Sequence, residues 1–214
     1  MATKAVIFDC WGTLFYSGLS KGGWRRFAAA IGMDFDSDPV LMRALEKHMM
    51  LSRFRSEAEA VRVSAQRSGF ALSDARIRRA VAVLKGGDRG LHAFRDALPA
   101  LRRLKKRYAL AILTNTTMSS FDALTSKYDL DRYFDVILTS FDVGLLKPDP
   151  AFFRLAAKRL GVSVKDVVMV GDSIASDMVG ARNAGMRGIL IDRKGAKQRY
   201  PVRVRSLAGL DALL

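Results

Sequence analysis

The sequence predicts an α/β protein: a parallel sheet covered by helices on both faces, with a helical segment inserted after the first strand. Three observations carry this expectation. Short apolar or β-branched runs recur at 5–8, 108–113, 136–138, 167–170 and 188–191. The later ones are separated by amphipathic stretches of roughly ten residues, as in parallel strands joined by crossover helices. Between residues 24 and 84 that rhythm gives way to apolar residues at three- and four-residue spacings, without one convincing strand.

The first run, Ala5 to Phe8, stops at Asp9-Cys10-Trp11-Gly12-Thr13. An acid therefore ends a buried strand, on the sheet edge where open α/β folds bind ligands. Gly12 permits a tight turn, and Thr13 is placed to hydrogen-bond across it. Helical periodicity follows over 24–31, 40–54, 57–68 and 73–84, broken at Asp36-Ser37-Asp38-Pro39, Ser56 and Gly69, with Ser73 as a candidate N-cap. Gly22-Gly23 and Gly86-Gly87 flank this segment and read as matching flexible hinges. The segment is expected to form a unit of its own over 19–89, with 1–18 and 90–214 forming the sheet core.

Alternation resumes with a helix over 98–106 and the strand 108–113, which ends in Thr114-Asn115-Thr116. A helix over 119–127, the strand 136–138, and the stretch Asp142 to Pro150 containing Lys147-Pro148 come next. A helix over 151–160 precedes the strand 167–170, which runs into Gly171-Asp172-Ser173 and Asp177. A helix over 178–184, the strand 188–191, an alternating segment at 202–204 and a short helix over 207–214 complete the pattern.

Of the 214 residues 50% are hydrophobic, enough for one substantial core and a smaller appended unit. The single cysteine, Cys10, excludes an internal disulfide and fits a reducing compartment. The start Met-Ala-Thr-Lys lacks the layout of a secretory leader, and no apolar run is long enough to span a bilayer. A cytoplasmic protein with no membrane partner is expected. The net charge is +15, but the basic residues are dispersed and have little aromatic interleaving. A dedicated nucleic-acid surface needs a clustered footprint, so no specific nucleic-acid partner is expected and the ligand is a small molecule.

In a parallel sheet the polar residues at the strand ends converge on one edge: Asp9, Thr114 with Asn115, Lys147, and Asp172 with Asp177. Thr114 offers a hydroxyl and Asn115 a backbone N–H to an anionic oxygen, and Lys147 offers a positive charge. Two carboxylates, Asp9 and Asp172, repel unless a cation lies between them, and a hard divalent ion such as Mg2+ is the natural inference. Asp177 is near enough to support the ligands from behind.

These motifs, taken in order, resemble those of the haloacid dehalogenase superfamily of hydrolases and phosphotransferases. The likeness rests on Asp9 with Gly12-Thr13, Leu113-Thr114-Asn115, Lys147-Pro148 before a helix, and Gly171-Asp172-Ser173 with Asp177. It implies a Rossmann-like core with a helical cap that opens and closes over the site. It also implies that Asp9 is the nucleophile, that Thr114 and Lys147 stabilise the transferred group, and that Asp172 is a metal ligand. A phosphatase acting on a small phosphorylated metabolite is the leading expectation.

One departure matters. Phosphatases of this superfamily carry a second Asp two residues after the nucleophile, which protonates the leaving group and then activates water. Here that position is Trp11, whose indole transfers no proton at neutral pH, although its backbone carbonyl can still coordinate Mg2+ and its ring can border the substrate. An aromatic residue there is the mark of metal-free 2-haloacid dehalogenases, an alternative opposed by Asp172 and by Phe153, which stands where those enzymes carry Tyr. Phosphonate-cleaving relatives use a cap lysine, for which only Lys21 and Lys47 are available before Lys85, and nothing singles either out. A catalytically silent binder of phosphorylated ligands is the third alternative. His48, among Met49, Met50 and Leu51, is expected to be packed rather than to replace the missing acid. His92, Cys10 and Trp24 are expected to have structural roles.

Overall fold

The computed structural model describes residues 2–16, 21–88, 90–196 and 200–214. The chain opens with β1 (Ala5–Phe8) and the two-residue β2 (Phe15–Tyr16), followed by helices α1 (Lys21–Ala30), α2 (Pro39–Met50), α3 (Glu57–Arg67) and α4 (Asp74–Asp88). Then come β3 (His92–Ala93), α5 (Ala97–Leu104), β4 (Ala109–Thr114), α6 (Met118–Lys127), β5 (Val136–Thr139), α7 (Ser140–Val143) and α8 (Pro150–Arg159). The last elements are β6 (Val167–Gly171), a π-helical turn over Ile174–Met178, α9 (Val179–Ala184), β7 (Arg187–Ile191), β8 (Arg203–Val204) and a 3-10 segment over Leu207–Ala212.

The main sheet is six-stranded in the order β5-β4-β1-β6-β7-β8, and every pairing in it is parallel. This is the predicted α/β architecture. All four residues of β1 are buried, because alternate side chains point to opposite faces and both faces are covered. Val6 and Phe8 pack with Ala100, Leu101 and Leu104 of α5 and Leu124 of α6. Ala5 and Ile7 pack with Phe152, Phe153 and Ala156 of α8 and Ala181 of α9. Phe153 is fully buried against Gly180, so its ring belongs to the core and not to the sheet edge.

Register brings the site residues level. Phe8 lies opposite Ile112 on one side and Val170 on the other, and the Asp9 N–H donates to the Val170 carbonyl at 2.9 Å. The ends of β4, β1 and β6 thus deliver Thr114, Asp9 and Asp172 to a common edge.

Helices α1 to α4 bury an apolar cluster of their own, built on Phe27, Leu45, Val61, Ala65, Ile77 and Leu84. The start of α2 is fixed by Asp38, whose carboxylate accepts from the Leu41 N–H at 2.9 Å, with Pro39 in the first turn. Ser73 caps α4 as expected, accepting weakly from the Arg76 N–H at 3.4 Å. Arg53 ties this region to the core, pairing with Asp142 at 2.8 Å and lying over the Phe141 ring.

Three local expectations are corrected. Gly22-Gly23 and Gly86-Gly87 are not loop hinges but lie inside the ends of α1 and α4, where packing overrides their poor helix propensity. The chain passes between the two regions instead through an antiparallel ribbon, β2 with β3, too short to leave a periodic signal. The expected terminal helix is the 3-10 segment. The unit boundaries expected after residues 18 and 89 involve positions outside the described residues. No helix among the described residues is long and apolar enough to cross a membrane.

Asp96, just before α5, clamps the carboxyl-terminal segment. Its Oδ2 accepts from Ser206 Oγ at 2.7 Å, the Leu207 N–H at 2.8 Å and Arg193 Nη1 at 3.0 Å. Burial opposes the charge, but these hydrogen bonds hold the carboxyl below its ordinary range. A depressed folded-state value means the stabilisation is complete above the unfolded pKa of about 3.9 and is lost as pH falls through the folded one. Asp96→Ala is predicted to cost about 1.5–3 kcal/mol in urea unfolding at neutral pH. The gap to wild type should narrow below about pH 4, and a gap independent of pH would contradict this role.

Candidate active site

At the carboxyl edge of the sheet a cavity of about 400 Å3 is lined by Asp9, Trp11, Asn115, Lys147, Asp172 and Asp177. The same cavity is lined by Arg43, Glu46, Lys47 and Met50 of α2. The structure therefore brings together six of the seven residues selected from the sequence. Thr114 is the exception. It is fully buried at the end of β4, its hydroxyl is directed at the Asn115 carbonyl at 3.5 Å, and it is not among the lining residues.

The centre of the site is an ion cluster. Lys147 Nζ donates to Asp9 Oδ1 at 2.5 Å and to Asp177 Oδ1 at 2.7 Å, and all three side chains are almost wholly withdrawn from water. Asn115 holds the lysine's backbone in a reciprocal pair: its Nδ2 donates to the Lys147 carbonyl at 3.0 Å and its Oδ1 accepts from the Lys147 N–H at 2.8 Å. The contribution of Asn115 is thus a side-chain clamp, where the sequence suggested a backbone N–H. Asp177 is fixed further by the Ser173 N–H, which donates to its Oδ2 at 2.9 Å.

Burial pushes the Asp9 carboxyl up to about 7, with Lys147 pulling it down and Asp177 and Asp172 pushing it up. Burial works against the Lys147 ammonium as well, but Asp9 and Asp177 outweigh it and hold its pKa above the ordinary value. Burial likewise raises the Cys10 thiol, so it stays protonated and unreactive. Gly12 has a φ of +82°, and a Cβ on it would lie 2.5 Å from Asp172 Oδ2. The turn after β1 thus needs glycine both for its backbone and for the close approach of Asp172.

Carboxylate oxygens of Asp9, Asp172 and Asp177 all lie within 4.8 Å of one another. Hard oxygen donors this close suit a divalent cation such as Mg2+, so the residues present fit the metal inferred from the sequence. Trp11 donates from Nε1 to Thr116 Oγ1 at 3.0 Å, which fixes its ring on the cavity wall. Trp24 packs edge-on against Phe27 and also borders a side cavity with Trp11 and Glu46. His48 lines neither of these cavities, and His92 lies against Tyr16 in the ribbon. Lys47 borders the site, while the Lys21 side chain falls outside what is described.

Sequence reasoning missed Arg43, Glu46, Met50, Leu146 and Ser176. A signal existed for the first three. Residues 43, 46, 47 and 50 share one face of α2 at helical spacing, beside the buried stripe of Met42, Leu45 and Met49. Nothing in the sequence says which core surface that face meets.

A family model for haloacid dehalogenase-like hydrolases matches residues 3–185. A phosphatase of Mycobacterium tuberculosis is 39% identical over 121 residues, covering 56% of this chain and only 54% of that protein. The (S)-2-haloacid dehalogenase 4A of Burkholderia cepacia is 29% identical over 99% of this chain and 94% of its own length. The crystal structure of the HAD phosphatase from Thermococcus onnurineus shares the fold, with a TM-score of 0.68 over 99% of this chain and 97% of that one at 24% identity.

Replacing the lysine isolates the electrostatics. Lys147→Met would leave two buried carboxylates facing each other without their cation, and is predicted to destabilise the protein by about 3–5 kcal/mol in urea unfolding. The deficit should shrink on acidification, as the carboxyls take up protons. A loss below about 1 kcal/mol, the scale of an exposed pair, would show that the cluster is not buried in solution.

Proposed function

Because the chain belongs to the haloacid dehalogenase-like hydrolases, we propose that it is a Mg2+-dependent phosphatase acting on small phosphorylated compounds through a covalent intermediate on Asp9. The observation that carries this reading is the grouping of Asp9, Asp172 and Asp177 beside Lys147 at the sheet edge. A metal-free displacement has no use for a second carboxylate at position 172. Phosphoryl transfer does, because charge must be neutralised around the reacting group.

The roles follow from the contacts. Asp9 supplies the attacking oxygen, held in place by Lys147 and by its own N–H, which donates to the Val170 carbonyl of β6. Lys147 favours the ionised form of the nucleophile against the effect of burial and sets positive charge beside the transferred group. Asn115 and Asp177 hold Lys147, one by its backbone and the other by its ammonium. Mg2+ would be held by Asp9, Asp172 and the Trp11 backbone carbonyl with Asp177 behind them, and when bound it supplies neutralisation of phosphate charge. Thr114, beneath the cavity, supports the position of Asn115 and touches substrate only if its hydroxyl turns. Helices α1 to α4 act as a cap, and α2 closes the site with Arg43, Glu46, Lys47 and Met50.

One observation favours a second reading. The Trp11 ring lines the cavity where a phosphatase of this superfamily would place a carboxylate, and a relative named as a 2-haloacid dehalogenase matches nearly the whole chain. In that reading Asp9 attacks carbon, halide leaves without a proton, and no metal is needed.

Mg2+ titration separates the two. At one hundred times its dissociation constant a ligand adds about 2.7 kcal/mol, readily seen in a melting curve. Mg2+ is predicted to stabilise the wild type on this scale and to have little effect on Asp172→Ala. Aryl phosphate turnover should require Mg2+ and vanish in Asp9→Asn. Unchanged melting, together with chloride release from a 2-haloacid in the presence of a chelator, would establish the second reading instead.

A further inference from the structure

A phosphate ester cannot be cleaved through Asp9 by charge neutralisation alone when its leaving group is an alkoxide, because the departing oxygen needs a proton. The aspartyl phosphate in turn needs a water molecule relieved of one. The lining of the cavity limits which group can carry that proton. Asp9 is the nucleophile. Asp177 accepts from Lys147 and from the Ser173 N–H, and Asp172 approaches the backbone of Gly12 as a candidate metal ligand. Arg43 and Lys47 offer N–H donors to phosphate oxygens, a binding role rather than an acid–base one. Asn115 is spent on the Lys147 backbone, and the Trp11 N–H donates to Thr116.

Glu46 remains. It lies at the junction of the main cavity with two others, one lined by Trp11, Thr116, Thr117 and Ser120 and one by Trp24, Phe35 and Asp36. No described residue donates a hydrogen bond to its carboxyl. It is half-buried, and burial raises its pKa against the pull of Arg43, one turn away on the same helix. A carboxyl raised towards neutrality can give a proton and take it back.

We propose that Glu46, supplied by α2 from across the cavity, is the proton carrier of the reaction. In the first half an Asp9 oxygen bonds to phosphorus, the bond from phosphorus to the ester oxygen breaks with its electron pair staying on that oxygen, and the Glu46 proton joins it to give the free alcohol. In the second half the oxygen of water bonds to phosphorus, and the bond to Asp9 breaks to restore the carboxylate. One water proton passes to Glu46, and phosphate departs. The same residue therefore acts as acid and then as base, and does so only when α2 lies over the sheet edge, which couples proton transfer to cap position.

This inference rests on the phosphatase reading, and its test separates the two. Wild type, Glu46→Gln, Glu46→Asp and Asp9→Asn are compared in Mg2+ buffer, by rapid quench, on an alkyl phosphate and on an aryl phosphate with an electron-poor phenol. Glu46→Gln is expected to slow alcohol release from the alkyl ester by about 10²–10⁴-fold. Phenol release, which needs little protonation, should fall less than about tenfold and so reports that the site is still folded. Phosphoenzyme should accumulate in Glu46→Gln, and Glu46→Asp should recover part of the lost rate. Equal losses on both esters, or no loss on either, with an active and Asp9-dependent wild type, would overturn the role of Glu46 alone. A wild type that cleaves neither ester would overturn the phosphatase reading and this inference with it.

Discussion

Lys147 holds its ammonium between the carboxylates of Asp9 and Asp177 in a place where all three side chains are nearly out of water. Withdrawing three charges from solvent costs several kcal/mol per ion, and attraction offsets that cost only where the distances are short and fixed. The rest of the fold meets that demand. Parallel pairing of β1 with β6 sets Asp9 against the Val170 backbone, the turn after β6 holds Asp177 through the Ser173 N–H, and Asn115 at the end of β4 clamps Lys147. Three neighbouring strands therefore each contribute one constraint to one ion cluster. The net charge within it, two carboxylates and one ammonium before Asp172 is counted, leaves an excess of negative charge that favours a cation.

The helical region answers a different demand. Its four helices bury their own apolar cluster, so α2 can present a polar face to the sheet edge without borrowing stability from the main core. Arg43, Glu46 and Lys47 on that face combine two cations with one carboxylate above a site rich in carboxylates below. An anionic substrate bound between them would meet Arg43 and Lys47 on the α2 side, and Lys147 with a bound cation on the sheet side. The proposed division of labour is that the sheet edge performs bond making and breaking, while α2 supplies proton transfer and substrate selection.

Much of this was legible in the sequence, and the exceptions have physical reasons. The continuous apolar run of β1 and the polar stops after β1, β4 and β6 were enough to converge Asp9, Asn115 and Asp172, because parallel register leaves little freedom in where strand ends lie. Lys147 and Asp177 were found as charges but not as partners, since a contact spanning thirty residues depends on how α8 and the π-helical turn pack. Thr114 was expected at the surface of the site and lies beneath it, a difference of one residue in where the strand ends. Gly22-Gly23 and Gly86-Gly87 were read from propensity alone, and tertiary packing extended helices through them. Glu46 was invisible because a charged face on an amphipathic helix normally meets solvent; only the placement of α2 over the sheet edge gives it a task.

The claim on which the rest depends is that Asp9 becomes covalently phosphorylated. Acid quenching of the protein during turnover of an aryl phosphate, followed by proteolysis and mass spectrometry of the peptide containing Asp9, tests it directly. The geometry predicts a phosphoryl group on Asp9 that requires Mg2+ and is absent from Asp9→Asn. A phosphoryl group on another residue, or phosphate release with no modified peptide at any quench time, would contradict it.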